Sequence, residues 1–323
     1  MREGETVKRT TCWMVVALLI GAGLGVAGQV PSTVLDIDPG VAVLGSGAAG
    51  LSLVHGAETL YYNPAGMAAV EGASFSSTLS SHMGLGSYSA FSLSFGSFGA
   101  ALLLLNSGDI QGYDSSGQPS ELLSYGSSSI MLGGGISPTT VGFLPSIGFD
   151  YAIGGRVKTV SSNIAGESGS GFAFDLGFLA GFQDIRMSAF SISQIAFGVT
   201  AENLFGSISY DGDREGFPMG LNLGASALIA NVVRASIDAR LTGAFHIGLA
   251  YAPVPTLELR LGLISRGAVT SITGGLGVGV QGFLVDYAFK SHTLGASHRV
   301  SLTLDFSSLN LGGIGQMIGR ILP

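Results

Sequence analysis

The chain has 323 residues, of which 46% are hydrophobic and only 11% are charged, and its formal net charge is −7. The charged fraction is well below the roughly 25% of soluble domains, and the acidic balance argues against a nucleic-acid partner. The 52 glycines argue against long helices, and after residue 28 no apolar run reaches the roughly 18–20 residues of a membrane helix. High mean hydropathy (+0.51) without such runs is typical of a transmembrane β-barrel.

The N-terminus predicts export. Lys8 and Arg9 precede an apolar run from Cys12 to Val26, and small residues follow it. This pattern is that of a secretory signal peptide, here residues 1–28, so we expect the mature protein in the bacterial outer membrane. Cys12 is the only cysteine, and its loss with the signal peptide leaves no thiol for a disulfide or a metal.

The segment 29–73 differs from the rest of the chain. It is rich in small residues, has no clear period, and ends in ETLYYNPAG at 58–66. Pro64 fixes its own φ and keeps Asn63 out of the helical region, which makes a stiff turn. A barrel of fourteen strands leaves space in its lumen, because eight strands already give a filled interior. We therefore expect 29–73 to be an N-terminal hatch, or plug, inside the lumen.

From residue 74 onward, apolar and polar residues alternate with a period of two, as in β-strands. In 256–265, for example, Leu257 and Leu259 share one face, and Glu258 and Arg260 share the other. The sequence predicts an all-β fold, a transmembrane antiparallel β-barrel of about 14 strands over 74–306. The predicted strands are 74–83, 87–96, 98–106, 125–136, 143–160, 169–182, 193–204, 217–229, 231–241, 244–253, 256–265, 270–280, 282–290 and 297–306.

The connections alternate between long and short. Long ones, such as 108–121, 161–169 and 205–216, follow odd-numbered strands, whereas short ones follow even-numbered strands; 183–192 does not fit. Outer-membrane barrels place long loops outside the cell and short turns in the periplasm. The last segment, 307–323, is then a periplasmic tail, either frayed or a short amphipathic helix.

Charged residues in the predicted strands fall on the face opposite the apolar residues, so we expect them to face the lumen. Their role is either structural, in ion pairs that hold the hatch, or that of a polar conduit or headgroup site. The set is Asp150, Asp175, Glu202, Arg234, Asp238, Arg240, Glu258, Arg260, Asp286, Lys290, Arg299 and Asp305.

Four consecutive leucines, Leu102, Leu103, Leu104 and Leu105, break the alternation, so two of them must point inward. They are candidate contacts for an apolar ligand, or they pack against the hatch.

Several motifs in fixed order carry a family resemblance. They are the hatch motif Tyr62, Asn63, Pro64, Ala65 and Gly66, the loop GDIQGYDSSG at 108–117, FAFDLG at 172–177, AENLF at 201–205, and a closing DYAF and HRVSL at 286–302. Together they resemble the FadL superfamily, and more closely its PorV/PorQ-like branch. The resemblance covers nearly the whole mature chain and implies a fourteen-stranded outer-membrane barrel with an internal hatch.

The resemblance implies two alternative functions. FadL-like members pass fatty acids or aromatic hydrocarbons, whereas PorV-like members are partners of protein secretion. We expect a passive channel for hydrophobic small molecules such as long-chain fatty acids; the alternative is a barrel that docks secretion machinery or cargo. The partners expected are outer-membrane lipid, a hydrophobic ligand, and a secretion or periplasmic protein in the alternative.

The sequence predicts neither an enzyme nor a cofactor or metal site. GSGAAG at 45–50 does not follow a strand of a βαβ unit, as a dinucleotide loop would. The five histidines lack the spacing of metal ligands, and no serine lies in a recognisable nucleophile motif.

Overall fold

The computed structural model describes residues 33–82, 86–108, 110–187, 190–241, 243–292 and 295–309. The predicted signal peptide at 1–28 and most of the tail at 307–323 lie outside these residues. Within them, no helix is both long enough and apolar enough to span a membrane.

Fourteen antiparallel strands form one closed barrel, as the sequence predicts. Each strand pairs with the next in the chain, and the first pairs with the last, with Ser74 opposite Asp305. The strands are β1 (Ala73–His82), β2 (Gly86–Phe95), β3 (Phe98–Asn106), β4 (Tyr125–Ile136), β5 (Asp150–Ile164), β6 (Glu167–Phe182), β7 (Ser191–Tyr210), β8 (Gly220–Ile229), β9 (Val233–Arg240), β10 (Ala244–Val254), β11 (Leu257–Arg266), β12 (Val269–Val280), β13 (Phe283–His292) and β14 (Gly295–Asp305).

The two faces of the wall differ as the alternation predicts. Leu259 and Val285 are exposed on the outer face, whereas Arg260 and Asp286, their neighbours in β11 and β13, are buried on the inner face. A row of exposed apolar side chains around a closed sheet is the lipid-facing band of a membrane barrel.

The two ends of the barrel carry different connections. At one end, the loop end, Ile110–Tyr113 pairs with Pro119–Leu123 in a hairpin between β3 and β4, and Asp213–Gly216 turns back to pair with the last residues of β7. At the other, the terminal end, β1 begins and β14 ends. The predicted loop 161–169 is mostly strand, because β5 and β6 continue to a two-residue turn at Ala165 and Gly166, both with positive φ.

The prediction of strand from residue 143 is wrong. Residues 137–149 form a connection at the terminal end, and β5 begins at Asp150. Pro145 has no N–H to give to a ladder, and Gly148 has a φ of 85°, which a strand does not allow. The connection from β6 to β7 also belongs to the terminal end, so two long connections interrupt the expected pattern of short turns there.

The segment 33–72 contacts strands on opposite sides of the barrel. A short helix, α1 (Val41–Gly45), packs against β11 to β14, whereas a 3-10 turn at Pro64–Ala69 packs against β4 to β6. Between them lie 3-10 turns at Val34–Asp36 and Gly56–Glu58 and a second short helix, α2 (Thr59–Tyr62). A buried segment that touches opposite walls of a closed barrel lies in its lumen. We call residues 33–72 the hatch.

One apolar cluster joins the hatch to β2, β3 and β4. Leu60, Tyr61 and Met67 of the hatch pack with Leu103 of β3 and Met131 of β4. Part of the hydrophobic core of this barrel is therefore in its lumen, where it holds the hatch against the wall.

Candidate functional site

The Asn-Pro turn connects the hatch to the barrel wall. α2 ends at Tyr62, and the next residue, Asn63, has extended backbone angles (φ −143°, ψ 107°) because Pro64 follows it. The fully buried Asn63 side chain accepts a hydrogen bond from Ala65 N (3.1 Å) and donates to Leu51 O (2.8 Å) and to Phe178 O of β6 (3.0 Å). One side chain thus starts the next 3-10 turn, joins two parts of the hatch, and contacts the wall.

The other residues of the hatch motif support this turn. The Tyr62 hydroxyl accepts from Gly40 N at 3.1 Å, and Gly66 N donates to Asn63 O at 3.0 Å. Both contacts are internal to the hatch, so the motif positions the turn. Among the described contacts, Asn63 is the only side chain of the motif that donates a hydrogen bond to the wall.

Three glycines let the turn touch the wall directly. A Cβ built at Gly135, Gly154 or Gly177 would lie 2.7, 2.4 or 2.2 Å from the nearest atom of the Asn63–Ala65 turn. These distances are far below van der Waals contact, so only glycine fits at the three inward positions. We call Gly133–Gly135, Gly154, Gly155 and Gly177 the glycine patch.

An apolar groove lies over the outer face of the glycine patch. Its volume is about 830 Å³, and its side chains come from Phe98, Leu132, Ile136, Ile153 and Leu176. All five belong to the outward registers of β3 to β6. The hatch turn and the lipid-facing groove are therefore separated by strand backbone alone.

Arg156 of β5 holds the carbonyl end of α2. Its Nη1 donates to Leu60 O and Tyr61 O, each at 2.6 Å, and its Nε donates to Asp175 Oδ2 at 2.7 Å. Helix C-terminal carbonyls have no partner inside the helix, and a cation is favourable there. Arg156 and Asp175 are both almost fully buried, so this pair is shielded from water.

Asp175 also contacts a bulge in the wall. Its Oδ1 accepts from Lys158 Nζ (2.9 Å) and from Asn203 N (2.8 Å). Asn203 has a φ of 55° and lies where the β6–β7 register shifts, between Ala201 and Phe205. We call Arg156, Lys158, Asp175 and Asn203 the Asp175 network; it connects the hatch to three adjacent strands.

On the opposite wall, polar side chains bind the hatch backbone. Asp238 Oδ2 accepts from Gly50 N (2.8 Å) and Leu51 N (3.1 Å), and His246 Nδ1 lies 2.8 Å from Gly47 O. These contacts occupy hatch backbone groups that would otherwise be buried without partners, which is unfavourable.

Asp38 of the hatch lies among cations near the loop end. Its carboxylate is 3.8 Å from Arg240 Nη2 and 3.7 Å from Lys290 Nζ, and Arg299 donates to its backbone carbonyl. Burial raises the pKa of Asp38, but Lys290 and Arg240 outweigh burial and hold the pKa below its usual range.

Glu58 is a buried hatch carboxyl of a different kind. Its Oε1 accepts from Ser76 Oγ at 2.7 Å, and within the described residues no cation lies at ion-pair distance from it. Burial raises the pKa of Glu58 to about 7, in spite of the hydrogen bond from Ser76.

The structure places most of the twelve predicted lumen charges on the inner face. Arg260 pairs there with Asp286 and Glu258, and Glu202 lies 3.7 Å from Arg156. Arg234 donates to Gln194 near the terminal end. Asp150 is exposed at the start of β5, and Asp305 accepts from Ser307 and Ser308 just past the end of β14, so these two lie at the rim.

The four leucines divide between the faces. Leu103 is buried in the cluster with the hatch, and Leu105 packs against the same cluster. Leu102 and Leu104 take the outward register, and Leu104 is exposed. The inward pair thus contacts the hatch.

Sequence reasoning missed the glycine patch, Asp38, Glu58 and His246. A signal for the patch was present, since three successive glycines inside a strand, at 133–135, indicate a close approach of another backbone. Glu58 and His246 carried no such signal, because each is a lone residue whose partners are distant in the chain.

No protein-family model and no curated protein matches this sequence. Solved structures do match. The toluene transporter TodX of Pseudomonas putida matches with a TM-score of 0.52 and 12% identity, over 84% of this chain and 98% of that one. The toluene transporter TbuX of Ralstonia pickettii matches with a TM-score of 0.51 and 13% identity, over 82% and 96%. A FadL homologue of Pseudomonas aeruginosa gives 0.49 and 10%, over 87% and 100%.

The TodX and TbuX similarities show a shared fold, that of FadL-like barrels. Identities this low carry no statement about substrate, and the PorV/PorQ-like branch is not confirmed.

Proposed function

We propose that the protein is a passive outer-membrane channel for hydrophobic small molecules, closed by its hatch. The observation that carries the proposal is the glycine patch, which has the hatch turn on its inner face and the apolar groove on its outer face. Displacement of the turn would uncover an inner wall without side chains, directly behind a groove that faces lipid. The fold shared with two structures described as toluene transporters supports this proposal.

The apolar lining favours an apolar ligand. The groove is lined by large aliphatic and aromatic side chains, and the hatch cluster behind the wall is equally apolar. Moving apolar surface from water into such surroundings gains about 25 cal/mol per Å². A molecule with the size and polarity of toluene or an acyl chain fits this requirement, whereas a sugar would leave its hydroxyls without partners.

The lumen charges support the same proposal because they pair with each other inside the protein. Arg156 pairs with Asp175, and Arg260 pairs with Asp286 and Glu258. Positive and negative groups neutralise each other, and several also hold hatch backbone. Ion-selective pores instead carry rings of one sign of charge. This favours the structural role of these residues over that of a polar conduit.

In this proposal the loop end faces the cell exterior and the terminal end faces the periplasm. Both ends of the barrel sequence then lie in the periplasm, on the side opposite the extracellular loops. The 830 Å³ groove lies in the membrane, so an apolar molecule bound there would contact both the lipid and the wall that carries the hatch turn on its inner face.

Uptake by intact cells tests the proposal. Cells that lack other hydrocarbon channels would express the wild type, the double variant Asn63→Ala with Pro64→Gly, or an empty vector, and would receive radiolabelled toluene or a radiolabelled long-chain fatty acid. The double variant removes the Asn63 hydrogen bonds and the fixed φ of Pro64, so we expect its uptake to differ from wild type. Heat-modifiable electrophoretic mobility verifies that each barrel is folded.

Equal uptake in all three strains with folded barrels would rule out the channel. The docking of secretion machinery or cargo would then be the leading alternative. Deletion of 205–216 or of the tail 307–323, followed by co-purification of periplasmic proteins, would be the next experiment.

A further inference from the structure

Two long connections at the terminal end carry an exposed apolar surface. The first, 137–149, joins β4 to β5 and contains no Asp, Glu, Lys or Arg. Its Phe143 is 77% exposed and its Ile147 is 50% exposed. Connections in water are normally polar. This connection has thirteen residues, no charge and an exposed phenylalanine, which indicates that it lies in an apolar environment.

This connection lies on the lipid-facing side of the wall. Tyr151 has the outward register of β5, because its neighbour Ala152 is buried on the inner face. The Tyr151 hydroxyl donates to Pro145 O at 2.8 Å, which holds the connection against the outer surface of the barrel. A connection folded under the lumen could not make this contact.

A cluster of aromatic rings joins the connection to the wall. Phe149 stacks on Phe182 with ring centroids 5.4 Å apart, and Phe182 meets Phe197 edge to face at 5.4 Å. Tyr151 lies over Phe178 at 6.3 Å. The rings form a continuous outward-facing belt across β5, β6 and β7. Aromatic belts of this kind lie at the boundary between hydrocarbon and headgroups.

The described residues of the second connection, 183–187 and 190, continue the same surface. Ile185 and Arg186 pair with the first residues of β7, so the wall extends beyond the belt toward the terminal end. Ile185, Met187 and Phe190 are exposed there. We call residues 137–149, Ile185, Met187 and Phe190, together with the belt, the apolar skirt.

We propose that the apolar skirt is inserted in the periplasmic leaflet of the outer membrane and binds phospholipid acyl chains there. Its continuity with the lipid-facing wall, the absence of charge in 137–149 and the Tyr151–Pro145 contact all favour lipid over a water-soluble protein partner. The choice of leaflet rests on the orientation given in the proposed function. Lipid contact itself does not depend on transport, so the two proposals can fail separately.

Depth-dependent quenching in vesicles tests the insertion. A Cys12→Ser chain would carry Phe143→Cys labelled with an environment-sensitive nitrobenzoxadiazole dye, and the barrel would be folded into phosphatidylcholine vesicles whose acyl chains carry bromine at different depths. Leu261→Cys on the lipid-facing wall is the positive control. Tyr113→Cys in the hairpin of the loop end is the negative control. Ile147→Cys serves as a second skirt position if Phe143→Cys does not fold.

We expect the skirt label to show blue-shifted emission, to be quenched most strongly by shallow bromines, and to be protected from aqueous iodide as the Leu261 position is. The Leu261 position, in the middle of β11, should instead be quenched most strongly by deep bromines. Emission and iodide access like those of the Tyr113 position, at both Phe143 and Ile147 in folded barrels, would overturn the proposal and leave the surface free for a protein partner. Quenching by deep bromines only would also overturn it, because the skirt would then lie in the bilayer core.

Discussion

A single methyl group at Gly154 should release the hatch turn. A Cβ at this position would lie 2.4 Å from Ala65 N and Pro64 C, whereas ordinary contact begins at 3.4 Å. The turn must therefore move away from β5 by about 1 Å. This shift takes the Asn63–Phe178 hydrogen bond from 3.0 Å to about 4 Å, beyond hydrogen-bonding distance.

The expected free-energy change follows from two contributions. Overpacking in a filled interior costs about 1–3 kcal/mol. A buried amide that loses its partner costs about 1–3 kcal/mol more. We expect Gly154→Ala to weaken hatch docking by about 2–6 kcal/mol, which raises the undocked fraction roughly 30- to 20,000-fold.

Gly155→Ala is the matched control. The same substitution one residue along the same strand points outward, and its Cβ would lie 3.5 Å from the Phe174 ring, an ordinary contact. Any effect of alanine on strand propensity or on the unfolded chain is shared by the two variants, so the difference between them reports contact with the hatch.

The assay is the labelling rate of a buried hatch position. Ser52 is 4% exposed in the hatch, and Ser52→Cys in a Cys12→Ser chain would react with a membrane-impermeant maleimide only when the hatch is displaced. Labelling should be fast with Gly154→Ala and slow with Gly155→Ala. Equal slow rates in the two variants, with folded barrels, would refute the close contact between turn and wall.

Three further predictions follow from the site. Because burial raises the pKa of Glu58 to about 7 from an ordinary 4.5, the docked hatch binds the proton more tightly than the released one. Docking of the hatch should be strongest below pH 4.5 and should weaken by about 3 kcal/mol as the pH rises through 7, measured as the rate of Ser52→Cys labelling against pH. Glu58→Gln should abolish this pH dependence, and a Glu58→Gln profile like that of the wild type would contradict the prediction. Arg156→Met should destabilise hatch docking by about 3–5 kcal/mol, because it leaves the buried Asp175 carboxylate with one fewer partner. The double variant Arg156→Met with Asp175→Asn should recover part of this loss. If the effects of the two single substitutions on the labelling rate simply add in the double variant, Arg156 and Asp175 do not act as a pair. Leu261→Arg should lower the free energy of unfolding of the barrel by about 2–4 kcal/mol, measured by urea unfolding from vesicles. The control Leu261→Val should change this free energy by less than about 1.5 kcal/mol. Equal stabilities of the two variants would place this position away from lipid.

The wall was predictable because its rule is local. Alternation with a period of two depends only on neighbouring residues, so the faces of Leu259 and Arg260 could be assigned from the sequence. The same rule failed at 143–149, where Ile147 and Phe149 alternate with Ser146 and Gly148 without forming a strand. There the positive φ of Gly148 and the missing N–H of Pro145 decide the backbone, and apolar residues lie outside the sheet.

The site was less predictable because its contacts are distant in the chain. Asn63 and Phe178 are 115 residues apart, and Arg156 binds carbonyls 95 and 96 residues away. Every residue has a backbone carbonyl, so the sequence does not indicate which residue accepts a hydrogen bond from a side chain such as that of Arg156. The bulge at 201–205 likewise depends on Asp175 in the neighbouring strand, not on its own residues.

A reversible hatch lock would test the central claim most directly, that this barrel is a hydrophobic-molecule channel closed by its hatch. Ser226 Oγ of β8 lies 3.5 Å from Ser52 O of the hatch, so these two positions are neighbours across the hatch–wall contact. The double variant Ser52→Cys with Ser226→Cys would be oxidised to join hatch and wall by a disulfide. In cells expressing this double variant, uptake of radiolabelled toluene or fatty acid should fall to the level of the empty vector on oxidation and return on reduction. Equal uptake in the oxidised and reduced states, with the disulfide verified on gels, would contradict a moving hatch. Uptake no higher than the empty vector in the reduced state would contradict the channel itself.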